Sequence, residues 1–95
     1  MNFSFHPSAV KELASSVDYY ESLHPGLGLE FTEEIYSTIQ RILEFPNAWA
    51  IVSQNCRRCM TRRFPYGIIY HIKEDEILII SVMQLNQNPK TGMSE

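Results

Sequence analysis

Only two cysteines, Cys56 and Cys59, occur in the 95 residues. That is too few for a disulfide framework and agrees with a reducing compartment. No apolar run reaches the roughly 18 residues needed to cross a membrane. The opening segment, Met1 to Pro7, lacks the basic flank and apolar stretch of a signal peptide. The expected location is the cytoplasm, with no membrane association. Internal repeats, low-complexity stretches and linkers are absent. The three histidines, His6, His24 and His71, are scattered. No serine or cysteine sits near a matching acid in a hydrolase motif, and no glycine-rich loop is present to cradle a phosphate. Cys56-Arg57-Arg58-Cys59 leads into a strand rather than opening a helix, and no second ligand pair accompanies it. A redox dithiol needs the helix N-terminus and a zinc site needs the other two ligands, so both cysteines read as ordinary ones. Neither a metal nor a cofactor is expected.

What is present describes a small globular protein. Apolar residues make up 44% and charged residues 20%, values that exclude a disordered chain. Residues 1–95 are expected to form a single domain, and a chain of this length buries roughly 60–68% of its unfolded surface. The net charge is −3, unsuited to a protein that coats nucleic acid, but its distribution is uneven. Up to Cys56 there are two basic and seven acidic residues, a net of −5; from Arg57 onward there are six basic and four acidic, a net of +2. The two halves should therefore present different surfaces.

Phe3 and Phe5 alternate with polar neighbours, so Met1 to His6 reads as a short strand. Pro7 suits a first helical position. Val10, Leu13, Ala14, Val17 and Tyr20 then follow helical spacing, predicting a helix from about Pro7 to Leu23 that His24-Pro25-Gly26 breaks. A second helix begins near Leu27 with Phe31, Ile35, Ile39 and Ile42 on one face. Glu30, Glu33 and Glu34 sit near the positive end of its dipole, and Phe45-Pro46-Asn47 ends it. The short connection predicts an antiparallel hairpin. Trp49, Ile51 and Val52 fall in an irregular stretch. Arg58 to Phe64, Gly67 to Lys73 and Ile77 to Gln84 read as three strands, the last apolar on both faces and hence central. Glu74-Asp75-Glu76 reads as a solvated turn. The tail from Asn86 is polar and expected to be loose. The order β-α-α-β-β-β defines an α+β fold, a small and mainly antiparallel sheet with a helical hairpin on one face. The other face is left to solvent and to partners, so a homodimer or hetero-oligomer is expected.

The arginine cluster carries the chemical weight. Arg57, Arg58, Arg62 and Arg63 lie within seven positions. As a strand, Arg58 and Arg62 share one face and Arg63 takes the other. Guanidinium groups suit bidentate binding of phosphate or carboxylate. Three readings compete: an RNA backbone, acidic residues of a protein partner, and a solvated edge. The acidic balance of the chain favours the last two.

The string Arg62-Arg63-Phe64-Pro65-Tyr66-Gly67-Ile68-Ile69-Tyr70 resembles the R-F-P-Y-x-I-x-Y core of ParE-like toxins in the RelE/ParE superfamily. Asp18-Tyr19-Tyr20-Glu21, then Pro25-Gly26-Leu27-Gly28 and Phe31, resembles that family's helix junction. Pro46 with Trp49, and the closing segment Ile79 to Pro89, also fall in register, so the resemblance spans nearly the whole chain. It implies the toxin of a type II toxin–antitoxin pair of the plasmid-stabilization type, neutralised by a cognate antitoxin. ParE-like members are associated with poisoning DNA gyrase; RelE-like members cut ribosome-bound mRNA. The mRNA-cutting branch carries a basic residue where Gly67 stands and an arginine where Gln87 stands, and its H-x-x-R-x-P ending reads Gln84-Leu85-Asn86-Gln87-Asn88-Pro89 here. Cleavage needs charge on the transition-state phosphate and groups that move protons, so the resemblance points to the non-nuclease branch or to a non-toxic binding module of the same fold. The expected binding residues are Arg58, Arg62, Arg63, Tyr66, Tyr70, Gln84 and Gln87. Arg58, Arg62 and Arg63 are the catalytic candidates should the chain cleave RNA.

Overall fold

A computed structural model describes residues 1–85. The elements are β1 (Asn2–Phe5), α1 (Pro7–Leu23), α2 (Leu27–Glu44), β2 (Ala50–Ser53), β3 (Cys56–Met60), β4 (Tyr66–Lys73) and β5 (Glu76–Gln84). Gln87, Pro89 and the rest of the tail lie outside the described residues.

Local chemistry sets the helix limits. His6 caps α1, its Nδ1 accepting from the Ser8 N–H at 3.1 Å, and Pro7 opens the helix without losing a donor. Gly26, at φ +90°, makes the left-handed turn between the helices. The Glu21 carboxylate reaches across this turn to accept from the N–H groups of Gly26 at 3.1 Å and Gly28 at 3.0 Å. It thus satisfies donors that the start of α2 leaves unpaired. A side chain at Gly28 would meet the Val17 carbonyl at 3.0 Å, so glycine there sets how closely the hairpin closes.

Phe31, Ile35, Ile39 and Ile42 of α2 are all fully buried, as their spacing predicts. In α1 Leu13, Val17 and Tyr20 face the core as expected, but the stripe shifts at its start. Ala9 rather than Val10 meets the sheet, and Val10 and Ala14 are exposed. Along the same flank of α1, Glu12 reaches the edge of β5 and Ser16 the Tyr66 hydroxyl.

The sheet runs β1-β5-β4-β3-β2, with β1 parallel to β5 and all other pairs antiparallel. β5 is interior, as its two apolar faces imply. One residue of β5 is extra between the pairs Tyr70–Ile79 and Ile69–Ser81, a bulge that shifts the register.

Two boundaries differ from the sequence reading. Ala50 to Ser53 is a strand, turned onto β3 through Gln54 and Asn55, the latter at φ +64°. The strand expected over Arg58 to Phe64 starts earlier and ends at Met60. Beyond Met60 the Thr61 N–H bonds to Tyr66 O and the Tyr66 N–H to Phe64 O, which closes residues 61–65 into a loop. Strand parity therefore does not apply to Arg62 and Arg63.

Candidate functional site

The two helices cover one face of the sheet. Ile77, Ile79 and Val82 of β5, Ile68 and Tyr70 of β4 and Cys59 of β3 point into this layer and are buried. The alternate positions lie on the other face: Leu78 and Ile80, Ile69 and His71, Arg58 and Cys56. No described element covers them. Leu78, Ile80 and Ile69 are half-buried, while Met60 and Met83 are exposed. This uncovered face is apolar at its centre, where the described residues include the cation Arg58.

Gly67 explains how Arg58 is placed. A Cβ at Gly67 would stand 3.1 Å from Arg58 Cδ, 3.2 Å from its Cγ and 3.1 Å from Leu85 Cδ2. The aliphatic stem of Arg58 thus lies across the bare backbone of Gly67, with Leu85 beside it. The glycine at this position makes room for the neighbouring Arg58 stem.

The other arginines are held elsewhere. Glu34, from the middle of α2, accepts from the backbone N–H of Arg62 at 2.6 Å and of Arg63 at 3.3 Å. Glu30, one turn earlier, pairs with the Arg63 guanidinium at 2.9 Å, and that guanidinium lies 5.1 Å from the Phe64 ring centre. The loop is pinned to α2 while the Arg62 side chain projects into solvent. Arg57 donates to the carbonyls of Asn47 and Trp49 at 3.1 and 2.8 Å. Arg41 donates to Thr38 Oγ1 and to Met60 O at 3.2 and 3.1 Å and stacks over Trp49. Both hold the stretch before β2 in place. Among the described residues, Arg58 and Arg62 have guanidinium groups without a hydrogen-bond or carboxylate partner.

The expected site residues do not converge. Arg58 lies on the open face, and Arg62 and Arg63 lie in the loop beyond it. Tyr66 is 5% exposed, its hydroxyl 3.0 Å from Ser16 Oγ. Tyr70 is fully buried and donates to the Pro46 carbonyl at 2.6 Å. Burial pushes the Tyr70 hydroxyl up to about 12, with Arg57 acting weakly the other way. Both tyrosines pack into the core, and Tyr66 also borders a groove beside Ser15, Ser16 and Gln84. Gln84 is on the helix side, beside Ser15, Ser16 and Tyr66. Gln87 lies outside the described residues. Cys59 is buried, and burial pushes its thiol up against the opposing influence of Arg41 and Arg62; Cys56, three residues back on the strand, faces the other way. Sequence reasoning missed Glu34 and Leu85. Glu34 carried only the general signal of an acid near a helix start.

A mixed, mainly antiparallel sheet is thus backed on one face by a helical hairpin, with a pinned arginine loop at its rim. The chain resembles the chromosomal ParDE toxin–antitoxin system from P. aeruginosa at TM-score 0.79 and 20% identity, covering 90% of this chain and 97% of that one. It resembles the isolated E. coli RelE toxin at TM-score 0.62 and 18% identity, covering 92% and 86%. It also resembles a chain of the intact E. coli RelBE toxin–antitoxin complex at TM-score 0.60 and 19% identity, covering 87% and 94%. No curated protein matches the sequence. Residues 3–89 match the family described as the ParE toxin of the type II toxin–antitoxin system parDE. The chain belongs to this family.

Proposed function

We propose that this chain is a toxin held inactive by a cognate antitoxin in the cytoplasm, and that once free it arrests growth by binding a protein target, with DNA gyrase the first candidate. The observation that carries this reading is the uncovered sheet face. Ile69, Leu78, Ile80 and Leu85 form an apolar ground around Arg58, with Arg62 at the rim and both cations unpaired among the described residues. An apolar centre with an arginine at its middle is the composition of a protein interface, where aromatic residues, methionine and arginine are enriched. Phosphate-binding surfaces are more uniformly cationic. Induced expression, alone and with the product of the adjacent reading frame, tests the proposal. Growth arrest alone, relieved by co-expression with formation of a complex, is expected. Normal growth together with no complex contradicts it.

A second reading, ribosome-dependent mRNA cleavage, draws on the same two arginines, whose guanidinium groups are free to meet a phosphate. Mapping mRNA ends after incubation with translating ribosomes decides between the two. Cleavage lost in Arg58→Ala and Arg62→Ala would favour the nuclease.

A further inference from the structure

Met60, Gly67 and Met83 stand in one row across the sheet. Gly67 of β4 is the register partner of Met60 on β3 and of Met83 on β5. Their chain neighbours Cys59, Ile68 and Val82 are buried under the helices, so strand alternation puts the whole row on the uncovered face. With strands roughly 4.8 Å apart, the two methionine Cα atoms are about 10 Å from each other, and no side chain of the row stands between them. Arg58 leans into that gap. Its own partner on β4 is Ile69, yet its Cγ and Cδ lie 3.2 and 3.1 Å from where a Cβ of Gly67 would stand. The guanidinium beyond them has no carboxylate partner among the described residues. Met60 is 52% and Met83 40% exposed, whereas Ile69, Leu78 and Ile80 on the same face are half-buried. Solvent therefore reaches the two thioethers more freely than it reaches those three apolar residues.

We propose that Met60 and Met83 form a paired oxidation site, at which hydrogen peroxide converts both thioethers to sulfoxides, the new oxygens bind the Arg58 guanidinium, and the toxin is silenced. The inference rests on the toxin reading above and adds a regulation of the same face. In each step a lone pair of the methionine sulfur attacks one peroxide oxygen. The S–O bond forms as the O–O bond breaks. Sulfur gives up two electrons, and the departing hydroxide takes the proton of the transferred hydroxyl and leaves as water. Two features give oxidation here a consequence. A thioether sulfur is a weak acceptor, so neither methionine holds the Arg58 head before oxidation, whereas two sulfoxide oxygens would flank it afterwards. The thioethers also extend the apolar ground of the face, and the polar sulfoxides interrupt it. Both effects remove what a protein partner would grip, and reduction of the sulfoxides restores it. The cysteines are placed differently: Cys59 is 1% exposed beneath the helices, and Cys56 is half-buried at the start of β3.

Hydrogen peroxide treatment of the purified wild-type chain, read by peptide mass, is expected to add one oxygen each to Met60 and Met83. Met1, 50% exposed at the start of β1, serves as the internal reference. The NMR signal of the Arg58 side-chain Nε–H should move with that addition and return when methionine sulfoxide reductase reverses it. In cells, Met60→Gln/Met83→Gln puts a neutral polar acceptor where each sulfoxide would stand. At matched soluble level and melting temperature, it should leave about tenfold or more colonies than wild type after induction. Where the double variant melts lower, each single substitution carries the same comparison. Oxygen at Met1 with none at Met60 and Met83, an Arg58 signal unmoved by full oxidation, or arrest by the glutamine variant as complete as by wild type overturns the oxidation site and leaves the toxin reading intact. Normal growth on induction of the wild-type chain overturns the toxin reading, and the silencing falls with it.

Discussion

The Glu34 carboxylate accepts a 2.6 Å hydrogen bond from the backbone N–H of Arg62, 28 residues away in sequence. The contact is between an acid of the helical half and the main chain of the basic half, so it fixes the loop without neutralising the Arg62 guanidinium. Glu12 and Glu21 do likewise, holding the N–H groups of Val82, Gly26 and Gly28. The acidic half therefore works in part as a set of main-chain clamps, and the arginines it leaves unpaired mark the open face.

Removing the Glu34 clamp should loosen the arginine loop. Glu34→Ala is expected to cost about 1–3 kcal/mol in urea unfolding, since two main-chain donors lose a charged acceptor. Glu34→Gln, which keeps an acceptor oxygen, should cost less. The Arg62 and Arg63 amides should exchange faster in both variants, and most in the alanine one. Unchanged exchange at these amides would show that the loop is held by other contacts.

Gly67→Ala tests the cradle for Arg58. The new methyl meets the Arg58 stem and Leu85 at about 3.1 Å, and both are side chains able to move. The expected stability cost is modest, about 1 kcal/mol, while function on the open face should fall to the level of Arg58→Ala. A growth assay beside a thermal melt checks this. Full activity with a shifted melting temperature would separate Gly67 from the placement of Arg58.

Tyr70 predicts an alkaline limit. Its ionisation in the folded chain is raised from 10.0 to about 12, because burial disfavours the phenolate. The folded state binds this proton more tightly than the unfolded state does. The resulting stability is fully present below pH 10 and is lost as the pH rises towards 12. Tyr70→Phe should flatten stability over that window, and at neutral pH should cost about 1–2 kcal/mol for the bond to the Pro46 carbonyl. Urea midpoints measured from pH 7 to pH 11 provide the check.

The two cysteines should react unequally. Cys59 is 1% exposed with its thiol pushed up by burial, whereas Cys56 is half-buried at the start of β3. A maleimide probe should label Cys56 alone in the native protein and both cysteines in denaturant. Rapid native labelling of Cys59 would contradict its placement against Arg41.

Much of the fold was legible because burial writes periodicity. Phe31, Ile35, Ile39 and Ile42 lie where their spacing places them, and β5 is interior because it is apolar on both faces. The burial of Ala9 in place of Val10 was not legible, since Val10 is as good a core residue by composition. The strand Ala50 to Ser53 was missed because an edge strand four residues long shows no face pattern, all four residues being exposed. At the site, the arginines were visible but their division into structural and free groups was not. That division depends on Asn47, Trp49, Glu30 and Glu34, partners that only the fold brings near. Tyr66 and Tyr70 belonged to the recognisable string, yet serve the core.

The central claim is that the toxin acts through the open sheet face and its unpaired cations. The most direct measurement is growth after induced expression of the Arg58→Ala/Arg62→Ala double variant, compared with wild type at matched soluble levels and matched thermal stability. Wild-type expression should arrest growth, and the double variant should restore it while keeping its fold. Arrest by the double variant as complete as by the wild type would contradict the account.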